Sequence, residues 1–426
     1  AMAVSTDLQK IEALLSRGVE NIYPKSDFLK SRLESGEQLT LYTGYDPTGP
    51  TLHVGHGITL LKLREFQDLG HKVIMLIGDF TGMIGDPTDK TSARQKLTKE
   101  EVLSNCAEYQ KQAAAILDFE GDNPVEVKYN SEWLAAMSFG DVIELASNFT
   151  VQQMLVRDMF QERMKSEKPI YLHEFLYPLM QGIDSVKMVE GGVDGEVGGN
   201  DQTFNMLAGR TLEKALLNKE KFVLTGKLLA DDSGKKMGKS EGNMIAFSDS
   251  AEDMFGKVMR WTDSMILSGF ELCTRIPIAE IDAMKAEMDG GTNPRDFKLK
   301  LATEITKTFL GEAAAEKGQA HFAQVIQGKD KPVEMEEMEP KEYKLISALV
   351  EAGFAKSNSD ARRLIAGGGV RVNDIVIEPF VPVENFRADG TVPGYDLKPG
   401  DTVQTDHDLK PGDVVQKGKR FFVKIK

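Results

Sequence analysis

The sequence predicts an α/β fold: a doubly wound parallel sheet, followed by an α-helical domain and a small C-terminal α/β domain. Three observations carry this. Strand-like and helix-like segments alternate up to about residue 230, as in sheets covered on both faces. From about 248 to 325 the strand signal is absent and helical periodicity takes over. A charged stretch with two prolines, QGKDKPVEMEEMEPKEY (327–343), then reads as a linker. At 426 residues the chain also exceeds the ~250–300 over which a single core keeps growing, so several domains are expected.

The elements follow in order. LTLYTGYD (39–46) reads as the first strand, rich in β-formers. A turn-rich stretch, PTGPTLHVGHG, leads into ITLLKLREFQDLG, where Ile58, Leu61, Phe66 and Leu69 fall at helical spacing. HKVIMLIGDF (71–80) is continuously apolar, as expected of a strand buried on both faces. LTKEEVLSNCAEYQKQAAAILDF opens with a capping-box pattern, Thr98 to Glu101, and reads as a long helix. KFVLTGKLLA (221–230) reads as a later strand of the same sheet. The helical region is predicted as SAEDMFGKVMRWTDSMIL, IAEIDAMKAEM and PRDFKLKLATEITKTFLGEAAAEKGQAHFAQVI. The expected boundaries are therefore 1–230, 231–326, a linker at 327–343, and 344–426. Near the end DLKPGDTVQ (396–404) recurs as DLKPGDVVQ (408–416), read as an extra hairpin or a local insertion.

Composition narrows the class. The net charge of −14 argues against wholesale, non-specific nucleic-acid binding. The charge is uneven: residues 341–426 hold 14 Lys and Arg against 12 Asp and Glu, about +2, leaving about −16 for the rest. That difference hints at a C-terminal module with its own partner. No apolar run approaches the ~18 residues of a membrane span, and the start lacks the blocks of a signal peptide. Two cysteines, Cys106 and Cys273, exclude a disulfide framework and a cysteine-based zinc site. A reducing cytoplasm is the expected location.

Two motifs carry chemistry. Among only six histidines, His53 and His56 lie three apart in TLHVGHG. As a metal pair they lack a third ligand and the intervening glutamate of a His-Glu-x-x-His site. They otherwise read as ordinary loop histidines, or as part of an anion site. Their place between a strand and the helix it feeds favours an anion, because helix N-terminal N–H groups point there. Gly55 and Gly57 let a flat ring or a phosphate approach the backbone. The second motif, SGKKMGKSEGN (233–243), crowds Lys235, Lys236 and Lys239 into one loop. It reads as a solvated basic loop, as a phosphate grip, or as a P-loop with Ser233 where the first glycine belongs.

Together HVGH and KMGKS resemble the HIGH and KMSKS signatures of class I aminoacyl-tRNA synthetases. The resemblance extends over essentially the whole chain and is similar to the bacterial tyrosyl-tRNA synthetases in particular. It rests on LYTGYDPTGPTLHVGHG, GDFTGMIGDPTDKTSAR, EFLYPLMQGIDSV, GGNDQTFNMLAGR, KMGKSEGN and SNSDARRLIAGGGVRVND, in that order. It implies a Rossmann-like catalytic domain with an inserted connective region, then the signature loop and an anticodon-binding helical domain. A small RNA-binding domain of the ribosomal S-four type would close the chain.

The resemblance also implies a reaction and its residues. Tyrosine is activated with ATP, entering as Mg-ATP, and then transferred to tRNA(Tyr); no protein-bound metal is expected. Thr48, His53 and His56 are implied in catalysis, with His53 towards the phosphates and His56 towards the ribose. Lys90, Arg94, Lys236 and Lys239 would hold the pyrophosphate. Thr43, Gly44, Asp46, Gly55 and Asp201 fall on the ATP side with Lys239, Gly55 against adenine. Tyr42 and Asp184 match the readers of the tyrosine hydroxyl. Asp86, Tyr177 and Gln181 match the ammonium binders, and Gln202 the substrate carbonyl region. Arg362, Arg363 and Arg371 would meet RNA, and a homodimer is implied. Thr43 stands where some members have cysteine, and Glu196 where some have glutamine; Glu196 has no assigned role. Three rivals remain: the tryptophan-specific relative, a non-catalytic RNA-binding derivative, and a P-loop NTPase. The first is disfavoured by Tyr42 and Asp184, the second by the intact signatures, the third by Ser233.

Overall fold

A computed structural model of the chain describes residues 3–86, 98–231, 234, 244–324, 335–373, 375–377, 407–418 and 421–426. The chain divides into two compact units, 1–322 and 323–426.

The first unit is built on a six-stranded sheet in the order β1-β6-β5-β2-β3-β4. Its strands are β1 (Val19–Tyr23), β2 (Thr40–Tyr45), β3 (Lys72–Ile77), β4 (Glu126–Tyr129), β5 (Gly195–Gly199) and β6 (Phe222–Gly226). Strands β2 to β6 pair in parallel, whereas β1 runs antiparallel to β6 at the edge. The doubly wound core matches the expectation, and five of the six residues of β3 are buried. The strand expected first is the second: β1 precedes it. Only one face of this edge strand needs to be apolar, and VENIY offers no apolar run to detect.

Two helices refine the reading. The helix after β2 starts at Val54 rather than Ile58, so HVGH forms its N-cap and first turn. The Thr98 capping box is present: Thr98 Oγ1 accepts from the Glu101 N–H (3.2 Å), and Glu101 Oε2 from the Thr98 N–H (2.8 Å). That helix, however, ends at Ala113.

The helical region packs within the first unit as Ala251–Met259, Met265–Cys273, Ile278–Asp289, Pro294–Leu310 and Glu312–Phe322. The last two were expected as one helix; Gly311, at φ +93°, breaks it, a conformation that only glycine adopts cheaply. Arg17 ties the N-terminal segment to this region. Its guanidinium donates to the carbonyls of Phe270, Glu271, Thr274 and Ile276, in the last turn of Met265–Cys273 and just beyond it, where helix carbonyls lack intrahelical partners. Gly57 makes the other close approach, since a Cβ there would sit 2.5 Å from the Phe309 ring.

The second unit has two helices, Leu345–Glu351 and Asn358–Ala366, and a five-stranded sheet. Its strands are β7 (Glu336–Met338), β8 (Val370–Val372), β9 (Ile375–Val376), β10 (Val414–Lys417) and β11 (Phe421–Ile425), in the order β7-β11-β10-β8-β9. β7 falls inside the stretch expected as linker; its glutamates masked it, and Glu337 pairs with Lys424 and Lys426 (3.0 and 3.2 Å). The second copy of the repeat leads into β10, while the first lies outside the described residues. Among the described residues no helix is long and apolar enough to cross a membrane.

One buried carboxyl of the first unit gives the fold a pH dependence. Glu213, on helix Thr203–Leu217, is fully buried. Its Oε1 accepts from the Val193 N–H (2.9 Å), and its Oε2 has no partner among the described residues. Burial raises its pKa from 4.5 to about 7, against the pull of Lys221 and Lys219. The folded chain therefore keeps this proton after the unfolded chain has released it. The stability it contributes is full below about pH 4.5 and is lost as pH rises through about 7. Glu213→Gln should flatten the fall in unfolding midpoint between about pH 5 and pH 8 by a few degrees. Equal slopes for the two proteins in thermal melts would remove Glu213 as the source.

Candidate active site

Strand pairing opens the site. β2 and β5 pair only through Leu41–Gly195 and Tyr42–Glu196, whereas β2 follows β3 as far as Tyr45–Ile77 and β5 follows β6 as far as Gly199–Gly226. The carboxyl ends of β2 and β5 therefore part, at the point where the strand order reverses. In open α/β sheets this crevice is where ligands bind. Here it is a cavity of about 480 Å³, within the range of small-ligand sites.

Every predicted site residue of the first unit that is described lines this cavity: Tyr42, Thr43, Gly44, Asp46, Thr48, His53, Gly55, His56, Asp86, Tyr177, Gln181, Asp184, Asp201 and Gln202. Lys90, Arg94, Lys236 and Lys239 lie outside the described residues. The described flank of the lysine motif reaches the same cavity, because Met244 lines it. Just beyond, the Val54 N–H donates to Ile245 O (3.0 Å) and the Phe247 N–H to Leu52 O (2.9 Å). The histidine motif and the segment that follows the lysine motif, far apart in sequence, are thus tied backbone to backbone.

His53 caps the helix Val54–Asp68, and its ring stacks on His56 at 3.8 Å between centroids. The His53 backbone N–H donates to His56 Nδ1 (3.2 Å). Burial, helped by the neighbouring His53, holds the His56 pKa well below the ordinary histidine value. A neutral ring that accepts at Nδ1 carries its proton on Nε2, so His56 offers one donor. The pair therefore presents a helix N-terminus and one imidazole donor. Among the described residues no cluster of three His, Cys, Asp or Glu is arranged to hold a metal.

The helix Tyr177–Lys187 brings three more residues to the wall. Asp184 is buried, with Oδ1 accepting from Trp133 Nε1–H (2.7 Å) and Oδ2 from Asn130 Nδ2–H (3.4 Å). Burial pushes its pKa well above the usual carboxylate value, although both hydrogen bonds oppose the shift. The Tyr177 hydroxyl donates to Asp46 Oδ2 (2.6 Å), which leaves its own oxygen to accept. Asp46 Oδ1 is held by the Thr81 hydroxyl (2.6 Å). Asp86 Oδ2 accepts from Gln202 Nε2–H (2.9 Å) and Asn205 Nδ2–H (3.4 Å). Gln202 Oε1 accepts from Asn205 as well (3.1 Å), so the Gln202 amide orients Asp86. The Thr43 hydroxyl donates to Val197 O (2.7 Å), leaving only its lone pairs for a ligand.

Sequence reasoning missed the residues that stand around these. Trp133 and Asn130 hold Asp184. Ser185 hydrogen-bonds the Tyr42 hydroxyl (2.9 Å), and Lys221, fully buried, pairs with Glu196 at 2.5 Å. One partial signal was available: Glu196 and Lys221 are opposite charges in otherwise apolar or glycine-rich stretches, and the pairing of β5 with β6 brings them together.

In the second unit Arg362 and Arg363 are exposed on Asn358–Ala366, whose Ala361 and Ile365 face inward. Arg371 is exposed on β8.

A switch-point cavity walled by a histidine-capped helix N-terminus and buried acceptors is the arrangement in which α/β folds hold nucleotides. Sequence comparison makes this specific. The family described as tRNA synthetases class I (W and Y) matches residues 34–327, and the S4 domain family matches 344–384. The chain belongs to the class I tRNA synthetases of that family. It is 44% identical over 370 residues to the tyrosine–tRNA ligase of Haemophilus ducreyi, covering 86% of this chain and 92% of that protein. It is 45% identical over 368 residues to that of Thermotoga maritima (86% and 90%) and 41% identical over 413 to that of Carboxydothermus hydrogenoformans (92% and 96%). Solved structures share the fold. The mitochondrial tyrosyl-tRNA synthetase of Aspergillus nidulans has a TM-score of 0.63 at 23% identity, over 74% of this chain and 94% of that one. The tyrosyl-tRNA synthetase of Archaeoglobus fulgidus has 0.57 at 22%, over 73% and 99%.

Proposed function

We propose that the cavity activates tyrosine with ATP and that the chain is a tyrosine–tRNA ligase. The observation that carries this is Asp184, a buried carboxyl at the cavity wall, on one helix face with Gln181 and Tyr177. In the first step a tyrosine carboxylate oxygen attacks the α-phosphorus of ATP, the bond to the β-phosphate breaks, and pyrophosphate leaves. In the second, a ribose hydroxyl of the terminal adenosine of tRNA(Tyr) attacks the carbonyl, and AMP leaves. Positioning and charge stabilisation dominate such steps.

The roles follow the chemistry of the wall. Tyr42 and Asp184 read the phenol hydroxyl. Asp86, Tyr177 and Gln181 offer three acceptors to the ammonium, and Gln202 steadies Asp86 beside the substrate carbonyl. His53, His56 and Thr48 face the phosphates and ribose at the helix N-terminus. Thr43, Gly44, Asp46, Gly55 and Asp201 complete the ATP side. Lys90, Arg94, Lys236 and Lys239 take the pyrophosphate with its magnesium. The domain roles implied by the sequence, anticodon binding by the helices and RNA binding at the C-terminus, belong to the same reading, as does a cytoplasmic location.

The test is ATP–pyrophosphate exchange with tyrosine, tryptophan and phenylalanine. Exchange with tyrosine alone is expected; exchange with none, or with tryptophan, would sink the reading. Asp184→Asn should erode rejection of phenylalanine by at least about tenfold, because the buried carboxyl that loses a hydrogen-bond partner when the hydroxyl is missing is then replaced by an amide that is less costly to leave without it. Selection of tyrosine over phenylalanine by this enzyme family is itself the standard example of that effect, so the direction is shared with the family. Unchanged discrimination would take Asp184 out of the hydroxyl site.

Replacing Arg362, Arg363 and Arg371 together by alanine should lower tRNA charging, with a smaller salt dependence, while exchange stays intact. Equal charging would remove them from the RNA face. A homodimer is supported by apolar side chains on Phe139–Ala146 and around Val151–Leu155: Phe139 is 80% exposed, Val151 63% and Val156 70%. Such patches mark interfaces. Phe139→Asp should give a monomer in sedimentation equilibrium; an unchanged dimer would move the interface elsewhere.

A further inference from the structure

Lys221 and Glu196 form an ion pair at 2.5 Å with side chains 0% and 2% exposed. Glu196 lines the cavity; Lys221 does not. Neutral replacements of such pairs are often as stable or more so, so stability is a weak reason for this one. The other contacts give a better reason. Lys221 Nζ also donates to Ser185 Oγ (2.6 Å), and Ser185 Oγ hydrogen-bonds the Tyr42 hydroxyl (2.9 Å). The second Glu196 oxygen, Oε1, accepts from Gln181 Nε2–H (3.0 Å).

A carboxylate accepts and never donates. Gln181 must therefore turn its NH₂ to Glu196, which leaves its Oε1 as the polar end for the cavity that Gln181 lines. An amide at position 196 would behave differently. Lys221, which only donates, would claim the oxygen of that amide and aim its NH₂ at Gln181. Gln181 would then have to rotate end for end and present its own NH₂ to the cavity.

We infer that Glu196 and Lys221 are positioning residues that lock the Gln181 amide with its oxygen toward the cavity, so that this wall accepts a primary ammonium. This deepens the reading of the cavity as a tyrosine site and rests on it. The ion pair acts as a polarity setting for an amide that is otherwise free to flip. The same lysine holds Ser185 against Tyr42, so one buried cation reaches both ends of the proposed amino-acid site.

The test uses two probes on the full chain: tyramine, which keeps the ammonium, and 3-(4-hydroxyphenyl)propionate, which lacks it. Dissociation constants are measured by calorimetry, and the ratio of tyramine to the acid is the readout, because changes at the phenol end cancel in it. Glu196→Gln should raise the ratio about tenfold, the scale of one lost charge-assisted hydrogen bond. Glu196→Gln with Lys221→Met should bring it back to within about threefold of wild type, because the introduced amide is then free to turn. A loss of packing alone would weaken both probes together and leave the ratio unmoved. An unchanged ratio in Glu196→Gln, or a ratio still raised in the double variant, overturns the inference. Wild-type protein that binds neither probe overturns it too. Should Glu196→Gln not fold, as judged by circular dichroism, Gln181→Met is measured instead: a ratio raised about tenfold is expected, and an unchanged one overturns the inference. Pyrophosphate exchange on the same wild-type preparation keeps a failure of the tyrosine-activation reading distinguishable from a failure here.

Discussion

The early parting of β2 from β5 is the constraint on which the site depends. Two residue pairs, Leu41–Gly195 and Tyr42–Glu196, hold the strands together before they separate. Had the pairing continued, backbone hydrogen bonds would fill the space where the cavity lies. Because it stops, the ends of β2 and β5 deliver Thr43 to Asp46 on one side and Gly198 to Gln202 on the other. The last pair is itself functional in character: Tyr42 and Glu196 are both buried, both line the cavity, and both belong to the network around Lys221.

The polar wall follows one rule. Each acidic acceptor is steadied by a protein donor that is not aimed at the ligand. Trp133 and Asn130 hold Asp184, Thr81 and Tyr177 hold Asp46, and Gln202 and Asn205 hold Asp86. Donor capacity is consumed inside the protein, and acceptor capacity is left over. A buried polar group without a partner costs about 1–3 kcal/mol, so a ligand with donors in the right places gains what a ligand without them forfeits.

Much of this was legible in the sequence where chemistry is contiguous or periodic. HVGH draws on the rare histidines, and KMGKS crowds lysines into one short stretch. Tyr177, Gln181 and Asp184, at spacings of four and three, announce a helix face. The apolar runs of β2, β3 and β6 announce buried strands. What escaped has physical reasons. β1 and β7 are polar edge strands with no apolar run. The groups that steady the wall act across the fold: Trp133 lies 51 residues from Asp184, and Lys221 lies 25 from Glu196 and 36 from Ser185. A lysine at the mouth of an apolar strand reads as a solvated end, and only the register of β5 against β6 turns it inward.

The proposed reaction sets a conflict within one cavity. An ammonium needs acceptors, whereas a triphosphate needs cations and donors, and the two must meet at the reacting carboxylate. The chain separates them by structural source. Acidic groups sit on rigid elements: Asp184 on a helix, Glu196 on β5, and Asp46 and Asp86 on loops pinned by Thr81 and Gln202. The described donors on the opposite side are a helix N-terminus and a neutral histidine, whose worth comes from orientation rather than net charge. Formal positive charge gathers instead in SGKKMGKSEGN, with three lysines against one glutamate, while DPTDKTSAR adds Lys90 and Arg94 beside two aspartates. Just beyond the second segment, the Val54 N–H donates to Ile245 O and the Phe247 N–H to Leu52 O, which anchors the chain there beside His53. In the proposed reaction, acceptors built into the framework would serve the ammonium, and the lysines of the second motif, with Lys90 and Arg94, would serve the phosphates, so that one acidic protein offers opposite potentials to the two ends of a single reaction.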